Sequence, residues 1–223
     1  TFAAWAAAGE YFSRGRPEFG DNMRRYYEHI RENDLVLTHS LINLQRSRTA
    51  SGLYNLEEGT ALRCVRETDA GIVVSGARVL ATLGPFADEI AVYSPRVALH
   101  SDGQSPFALN FAIPCDTKGL RFLCRDSFDN GRSRFDYPLS TRFDEMDCIV
   151  FFDDVLVPWE RVFLLGDVDL LNRTGVATNY SAHSAHQGGA KNLAKCEFLL
   201  GLALLMTETL GSGSQPHVES YIG

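Results

Sequence analysis

Apolar residues recur with a helical period in two stretches near the start of the chain. The first stretch covers residues 1–9 and the second covers residues 16–33. The residues that set the period are Phe2, Trp5, Ala8, Phe19, Met23, Tyr26, Tyr27 and Ile30. Apolar positions three and four residues apart are typical of a helix that buries one face. We therefore predict two helices, which form the end of an N-terminal helical domain over residues 1–34.

From residue 35 the pattern changes to short runs rich in β-branched and aromatic residues, each bounded by turn residues. Runs of this kind are typical of strands. They predict seven strands, at 35–41, 61–67, 71–82, 89–97, 107–114, 120–126 and 146–156. Seven short strands favour a small barrel or sandwich, which we assign to a middle β domain over residues 35–158.

The helical period returns after residue 158. Its apolar positions are Leu193, Cys196, Leu199, Leu200, Ala203, Leu204 and Met206. Gly211 is expected to end this long helix, because glycine is favoured directly after a helix C-terminus. We predict the start of a C-terminal helical bundle over residues 159–223, and an α+β fold class. Since the sequence begins at Thr1 and stops within a new helical pattern, we expect an internal fragment.

The composition excludes several classes of function. The formal net charge is -7 and the basic residues are scattered, so nucleic acid is not an expected partner. No run reaches the roughly 18 apolar residues of a membrane helix. The five cysteines are odd in number and widely spaced, which favours reduced thiols in a cytoplasmic protein. Because the sequence lacks the common zinc-ligand spacings, we expect no metal site.

His39 is the first candidate for chemistry, since it stands in an apolar extended run. In a strand it shares a face with Leu37 and Leu41, whereas Thr38 and Ser40 point to the other side. Two interpretations remain open at this point. His39 is either a core histidine that bonds a backbone carbonyl, or a hydrogen-bond donor that faces a ligand.

Other polar residues follow the predicted strands. A cationic loop comes directly after His39, and Thr82 ends the third strand. A proline in the fourth strand indicates an edge that could border a pocket. These candidates are Gln45, Arg46, Ser47, Arg48, Thr82, Ser94, Pro95 and Arg96. Each could equally be a solvated loop or a strand end. Further along, we expect Arg142 to form a structural ion pair with Asp144 or Glu145.

Four ordered blocks of the sequence carry a resemblance to a known family. They are LTHSLIN at 37–43, ETDAGIVVSGA at 67–77, DYPLSTRFDE at 136–145 and DVLVPWE at 154–160. Together they resemble the oxygenase component of the 4-hydroxyphenylacetate 3-monooxygenase family. Its members are FADH2-dependent phenol hydroxylases with an acyl-CoA-dehydrogenase-like architecture.

The resemblance implies an enzyme that hydroxylates a phenol ortho to its hydroxyl group, using O2 and FADH2 from a separate flavin reductase. It implies that His39 is catalytic and contacts both substrate and flavin. The other flavin contacts that it implies are Ser40, Leu41, Gln45, Arg46, Ser47, Arg48 and Thr82. The substrate contacts that it implies are His39, Ser94, Pro95 and Arg96. Further site residues of the family are expected to lie outside this chain.

Two other classes of function remain alternatives. A hydroxyacyl-CoA dehydratase on the same scaffold would use flavin with an iron–sulfur cluster, and the scattered cysteines offer no cluster spacing. The chain could also be a non-catalytic fragment that only binds a partner. For the complete protein we expect a homo-oligomer, a dimer or tetramer, because an apolar helix stripe commonly packs against a copy of itself.

Overall fold

The computed structural model describes residues 1–44, 60–94 and 103–222. Its helices are α1 (Phe2–Ala7), α2 (Gly9–Phe12), α3 (Pro17–Glu32), α4 (Val168–Ala177), α5 (Tyr180–Leu210) and α6 (Pro216–Ile222). Its strands are β1 (Leu37–Ser40), β2 (Ile42–Asn43), β3 (Arg63–Thr68), β4 (Gly71–Val79), β5 (Glu89–Tyr93), β6 (Gln104–Pro114), β7 (Leu120–Cys124), β8 (Cys148–Pro158) and β9 (Val162–Asp167). The predicted α+β class is confirmed.

The strands form two sheets. The first sheet has the order β1-β5-β6-β9, in which β1 and β5 run parallel and the other pairs are antiparallel. The second is antiparallel with the order β2-β4-β8-β7, and β3 pairs with β4. Phe111 of β6 and Phe152 of β8 meet edge to face, with ring centroids 6.0 Å apart. This contact joins the buried faces of the two sheets, as in a sandwich.

Helix α3 packs on the first sheet because one of its faces is apolar. Its first residue is Pro17, which has no N–H to lose at that position. Phe19 and Met23 are fully buried. Asn22 is buried with them, and its amide donates to the carbonyl oxygens of Trp159 at 2.7 Å and Val162 at 3.0 Å. The amide therefore fixes α3 to the segment that leads into β9.

Each of the seven predicted strands is present, although their ends differ. The strand predicted over 71–82 ends at Val79, because Leu80 and Leu83 have positive φ angles of 63° and 59°. The helix predicted over 1–9 is divided into α1 and the start of α2. Two strands were not predicted. One is the two-residue β2, and the other is β9, which lies in the part of the sequence assigned to the helical bundle.

Contacts within the described residues separate two units. The unit Phe2–Thr178 contains α1 to α4 and both sheets, and the unit from Asn179 contains α5 and α6. In the second unit α5 confirms the predicted long helix, which ends at Gly211 with a φ of 64°. The domain boundaries at 34 and 158 stay a prediction. Within the described residues, no helix is long and apolar enough to cross a membrane.

Candidate functional site

Strand β1 presents His39 on its exposed face and turns its hydroxyl side chains inward. Thr38 and Ser40 are buried. Thr38 Oγ1 donates to the carbonyl oxygen of Thr82 at 2.6 Å, and Ser40 Oγ donates to that of Val79 at 3.4 Å. These two hydroxyls bond carbonyl groups of the segment where β4 leaves its sheet. Because strand side chains alternate, His39 must point away from this interior. The core-histidine interpretation is therefore wrong.

The His39 ring lies against an aromatic cluster. It stacks on Tyr93 of β5, with ring centroids 6.3 Å apart and an interplanar angle of 17°. Tyr93 in turn meets Trp5 edge to face at 4.7 Å. Partial desolvation lowers the pKa of the His39 imidazole below its ordinary value of 6.5. At neutral pH the ring is therefore uncharged, with one nitrogen that donates a hydrogen bond and one that accepts.

Thr82 is held on both sides by the chain around Asp147. Its hydroxyl donates to Asp147 Oδ1 at 2.5 Å. The neighbouring amides of Ala81 and Leu83 donate to the carbonyl oxygens of Cys148 at 3.1 Å and Met146 at 2.8 Å. The hydroxyl hydrogen of Thr82 is thus committed to a carboxylate. Its oxygen lone pairs are still available for a hydrogen bond from a ligand.

Arg78 of β4 lies beneath the segments that carry His39 and Tyr93. It is 1% exposed, and burial lowers its pKa to about 9. Its Nη1 donates to the carbonyl oxygens of Leu41 at 3.2 Å and Tyr93 at 3.5 Å, and its Nη2 donates to Ser94 Oγ at 3.1 Å. No carboxylate in the described part of the chain forms an ion pair with it. One buried guanidinium therefore ties the end of β1 to the end of β5.

Ser94 is fully engaged by the protein. Its hydroxyl donates to the carbonyl oxygen of Phe107 at 2.6 Å and accepts from Leu109 N at 3.3 Å as well as from Arg78. Its amide donates to Asn110 Oδ1 at 3.0 Å. A substrate that bonded the Ser94 hydroxyl would have to replace one of these interactions. The substrate contact at Ser94 stays a prediction.

The structure brings together five of the site residues predicted from the sequence, namely His39, Ser40, Leu41, Thr82 and Ser94. The others, Gln45, Arg46, Ser47, Arg48, Pro95 and Arg96, lie outside the described residues. The expected ion pair of Arg142 with Asp144 or Glu145 is absent among the described residues, because Asp144 pairs with Arg125 instead and accepts from Ser127 Oγ at 2.6 Å. Arg125 and Ser127 lie at the start of the loop between β7 and β8, and Asp144 lies near its end. The Asp144 carboxylate therefore joins the two ends of this loop.

Sequence reasoning missed Arg78 and Asp147. The signal for Arg78 was a charged residue inside a run that otherwise predicts a buried strand. A register shift between Val74 and Gly76 moves the alternation by one position, so the inward direction of Arg78 could not be read from the pattern. Asp147 gave no signal, because its partner Thr82 is far away in the sequence.

A cavity of about 670 Å³ lies elsewhere, on the second sheet. It is lined by β4, β7 and β8, with Phe122, Phe151 and Phe152 among its walls, and it also borders Leu44 and Thr60. None of the five predicted site residues that the structure describes lines this cavity. The site around His39 lies at the ends of β1 and β5.

Two family models match the chain. The first, described as 4-hydroxyphenylacetate 3-hydroxylase N terminal, matches residues 1–164, and the second, described as 4-hydroxyphenylacetate 3-hydroxylase C terminal, matches residues 172–223. The 4-hydroxyphenylacetate 3-monooxygenase oxygenase component of Thermus thermophilus is 45% identical over 98% of this chain and 44% of the relative. The oxygenase component of a Rhodococcus 4-nitrophenol 2-monooxygenase is 35% identical over 92% of the chain and 39% of the relative.

Solved structures agree with these matches. A crystal structure of a 4-hydroxyphenylacetate 3-monooxygenase oxygenase component complexed with FAD and 4-hydroxyphenylacetate has a TM-score of 0.85 and 44% identity. The match covers 99% of this chain and 45% of that one. A 4-hydroxybutyryl-CoA dehydratase from N. maritimus has a TM-score of 0.68 at 17% identity, which shows a shared fold alone. The chain spans about half the length of the curated relatives it matches.

Proposed function

The chain belongs to the 4-hydroxyphenylacetate 3-hydroxylase family, and from this we propose that it forms part of the oxygenase component of a two-component phenol monooxygenase. The complete protein hydroxylates its substrate ortho to the phenol hydroxyl, using O2 and FADH2 from a separate flavin reductase. The substrate is a para-substituted phenol of the 4-hydroxyphenylacetate type. Two relatives support this class, because 4-hydroxyphenylacetate and 4-nitrophenol are both para-substituted phenols.

The polar groups around β1 fit a flavin ring, whose edge carries both hydrogen-bond donors and acceptors. Two buried atoms at one cross-strand position, Asn43 Oδ1 and Arg78 Nε, have no hydrogen-bond partner among the residues that the structure describes. The first is an acceptor and the second a donor. Thr82 adds an oxygen that can accept. When bound, reduced FAD supplies the electrons that activate dioxygen, and the protein supplies position and electrostatics.

His39 is the residue that we assign to the phenol. Stacking on Tyr93 fixes the plane of its ring, and the lowered pKa keeps the ring uncharged. The protonated ring nitrogen donates to an oxygen, and the other nitrogen accepts the phenol proton, which raises the electron density of the aromatic ring. An imidazolium could not accept that proton. Arg78 holds the backbone on both sides of the ring pair.

The observation that carries this proposal is the exposed position of His39 on a strand whose hydroxyl groups are buried. The test is hydroxylation of 4-hydroxyphenylacetate by the full-length protein with supplied FADH2, with chromatographic detection of the catechol. His39→Ala should reduce kcat by roughly 10²- to 10⁴-fold, the range for loss of a general acid–base group. His183→Ala, at an exposed position of α5, serves as the matched control and should leave kcat unchanged.

Equal turnover by the His39→Ala protein and the parent would remove His39 from the mechanism. FAD titration provides a second test of the proposed function. If the full-length protein bound neither oxidised nor reduced FAD, the proposed function would be wrong.

The oligomeric state and the compartment are also proposals. A dimer or tetramer is supported by the apolar side chains that α5 exposes, which include Leu199, Leu202 and Met206. A cytoplasmic location is supported by the five cysteines, all of which are free thiols.

A further inference from the structure

Two cysteine thiols face each other across the second sheet. Cys124 is the last residue of β7, Cys148 is the first residue of β8, and the two are register partners. Their sulfur atoms are 3.5 Å apart. The established bond length of a disulfide is about 2.05 Å. Closing the pair therefore requires an approach of roughly 1.5 Å between the sulfurs.

The backbone geometry of this position suits a disulfide. The amide of Arg125 donates to the carbonyl oxygen of Asp147 at 3.1 Å, so residues 125 and 147 form a hydrogen-bonded pair. Hydrogen-bonded and non-hydrogen-bonded pairs alternate along an antiparallel ladder. Cys124 and Cys148 therefore form a non-hydrogen-bonded pair, in which the Cα atoms are typically about 4.5 Å apart. This separation falls at the lower end of the range that native disulfides use.

The two thiols differ in their access to solvent. Cys124 is exposed, whereas Cys148 is 3% exposed. Burial, with a smaller contribution from Cys124, raises the pKa of the Cys148 thiol to about 12. Cys148 thus keeps its proton and shares it with the sulfur of Cys124. A small oxidant from solvent reaches Cys124 first.

We propose that Cys124 and Cys148 are a redox-active pair that closes to a reversible disulfide when a peroxide oxidises Cys124. The Cys124 sulfur attacks one peroxide oxygen, the O–O bond breaks, and the product is a sulfenic acid. For hydrogen peroxide the other oxygen leaves as water after it takes up the thiol proton. The Cys148 sulfur then attacks the Cys124 sulfur, and the S–O bond breaks. The Cys148 proton leaves with the hydroxyl group as a second water. Two thiols are oxidised by two electrons, and one peroxide is reduced.

The pair is connected to the candidate site by a short path. Residues 146–148 hold residues 81–83 through the hydrogen bonds of Ala81, Thr82 and Leu83 described above. Movement of Cys148 toward Cys124 shifts the start of β8. The carbonyl oxygen of Cys148 accepts the hydrogen bond from Ala81, and Asp147 directly precedes Cys148 in the chain. The Thr82–Asp147 hydrogen bond is therefore expected to weaken, and the FAD contact proposed at Thr82 is expected to weaken with it. This effect on FAD, unlike the disulfide itself, rests on the proposed function.

The disulfide is tested on the full-length protein. The reduced protein is treated with increasing hydrogen peroxide, its remaining thiols are alkylated, and it is digested for mass spectrometry. The expected product is a single cross-linked peptide that joins Cys124 to Cys148 and disappears on treatment with dithiothreitol. Cys196→Ser, at an exposed cysteine of α5, is the matched control and should give the same cross-link. Cys124→Ser and Cys148→Ala should both lack it.

Two results would overturn the proposal. One is a Cys124 that accumulates as sulfinic acid while Cys148 is still alkylated. The other is a pair that resists peroxide at concentrations that oxidise Cys196. Because Cys124 is exposed, the Cys124→Ser protein is expected to fold. This variant therefore still tests the proposal if the Cys148→Ala protein fails to fold.

The coupling to Thr82 is tested separately by FAD titration of the reduced and oxidised proteins. Oxidation should weaken FAD binding about threefold to tenfold, which is the effect of losing one hydrogen bond between neutral groups, here the one proposed between FAD and Thr82. The Cys124→Ser protein should show no change after peroxide. A cross-link that formed without any change in FAD affinity would overturn the coupling. Absence of FAD binding in the reduced protein would overturn the proposed function, and the peptide map would still decide the disulfide.

Discussion

At the scale of single residues, the site depends on which face of β1 is turned inward. The sequence predicts the alternation of Thr38, His39 and Ser40 and leaves open which side is buried. The number of apolar residues on each face would predict that the face with Leu37 and Leu41 is the buried one. The structure buries the two hydroxyl groups instead, because they satisfy carbonyl oxygens where β4 ends. His39 is therefore exposed because the hydroxyl groups beside it bond carbonyl oxygens at the end of β4, in the other sheet.

The His39 imidazole gives a prediction about pH. Its pKa in the folded protein should lie below 6.5, because the surrounding protein disfavours the cation. Between the folded and unfolded pKa values the unfolded chain binds more protons, so this group lowers stability as the pH falls through that window. Histidine NMR titration of the folded protein and of the urea-unfolded chain checks the difference. A folded value at or above the unfolded one would contradict the desolvation argument.

At the scale of elements, the sequence predicts the strands better than their connections. Runs such as the one that becomes β6 are long and apolar, and turn residues bound them clearly. The two-residue β2 is too short to have a period. β9 follows the helical turn at Trp159 and Arg161, so the pattern assigns it to the helical part. Its place beside β6 is fixed by long-range pairing, which a local pattern does not contain.

One contact that a local pattern cannot show is the ion pair between β5 and the turn before β9. Glu89 is 4% exposed and accepts both hydrogen bonds from Arg161 Nη1, at 3.0 Å and 2.7 Å. His29 of α3 approaches the same carboxylate, with its Nε2 3.4 Å from Oε1. One buried carboxylate therefore joins β5, α3 and the Arg161 turn.

Burial should decide what each Arg–Glu pair contributes to folding. Glu89→Ala should lower the free energy of unfolding by about 3–5 kcal/mol, because it leaves Arg161 without its partner in a mostly buried position. Glu67→Ala is a matched control, since the Arg16–Glu67 pair has the same 2.7 Å distance but side chains that are 34% and 50% exposed. It should cost no more than about 1 kcal/mol. Urea denaturation of both variants measures the difference, and equal losses would contradict the argument.

At the scale of the whole molecule, the sequence predicts the order of helical, β and helical parts, and family membership supports the proposed chemistry. The predicted cofactor contacts at 39–41 lie beside Thr82 in the structure because Thr38 bonds the Thr82 carbonyl oxygen, and Arg78 ties Leu41 to Ser94. Asp147 was missed because its partner is distant in sequence, and Arg78 was missed because the register shift in β4 hides its inward direction. A site assembled from the ends of several strands requires the tertiary structure, even when each of its strands can be predicted.

The division at Asn179 leads to a prediction about folding and activity together. Within the described residues, the buried apolar side chains all lie between Phe2 and Thr178, and α5 contains no buried residue. A chain that ends after Thr178 should therefore keep a cooperative urea transition and a structured near-ultraviolet circular dichroism spectrum. The shortened chain should not hydroxylate phenols, because even the 223-residue chain spans only 44% of the length of its relatives. A His39→Ala version of the shortened chain should unfold at nearly the same urea concentration, because an exposed side chain contributes little to the core. A shortened chain with no cooperative transition would show that the two sheets depend on residues beyond Thr178.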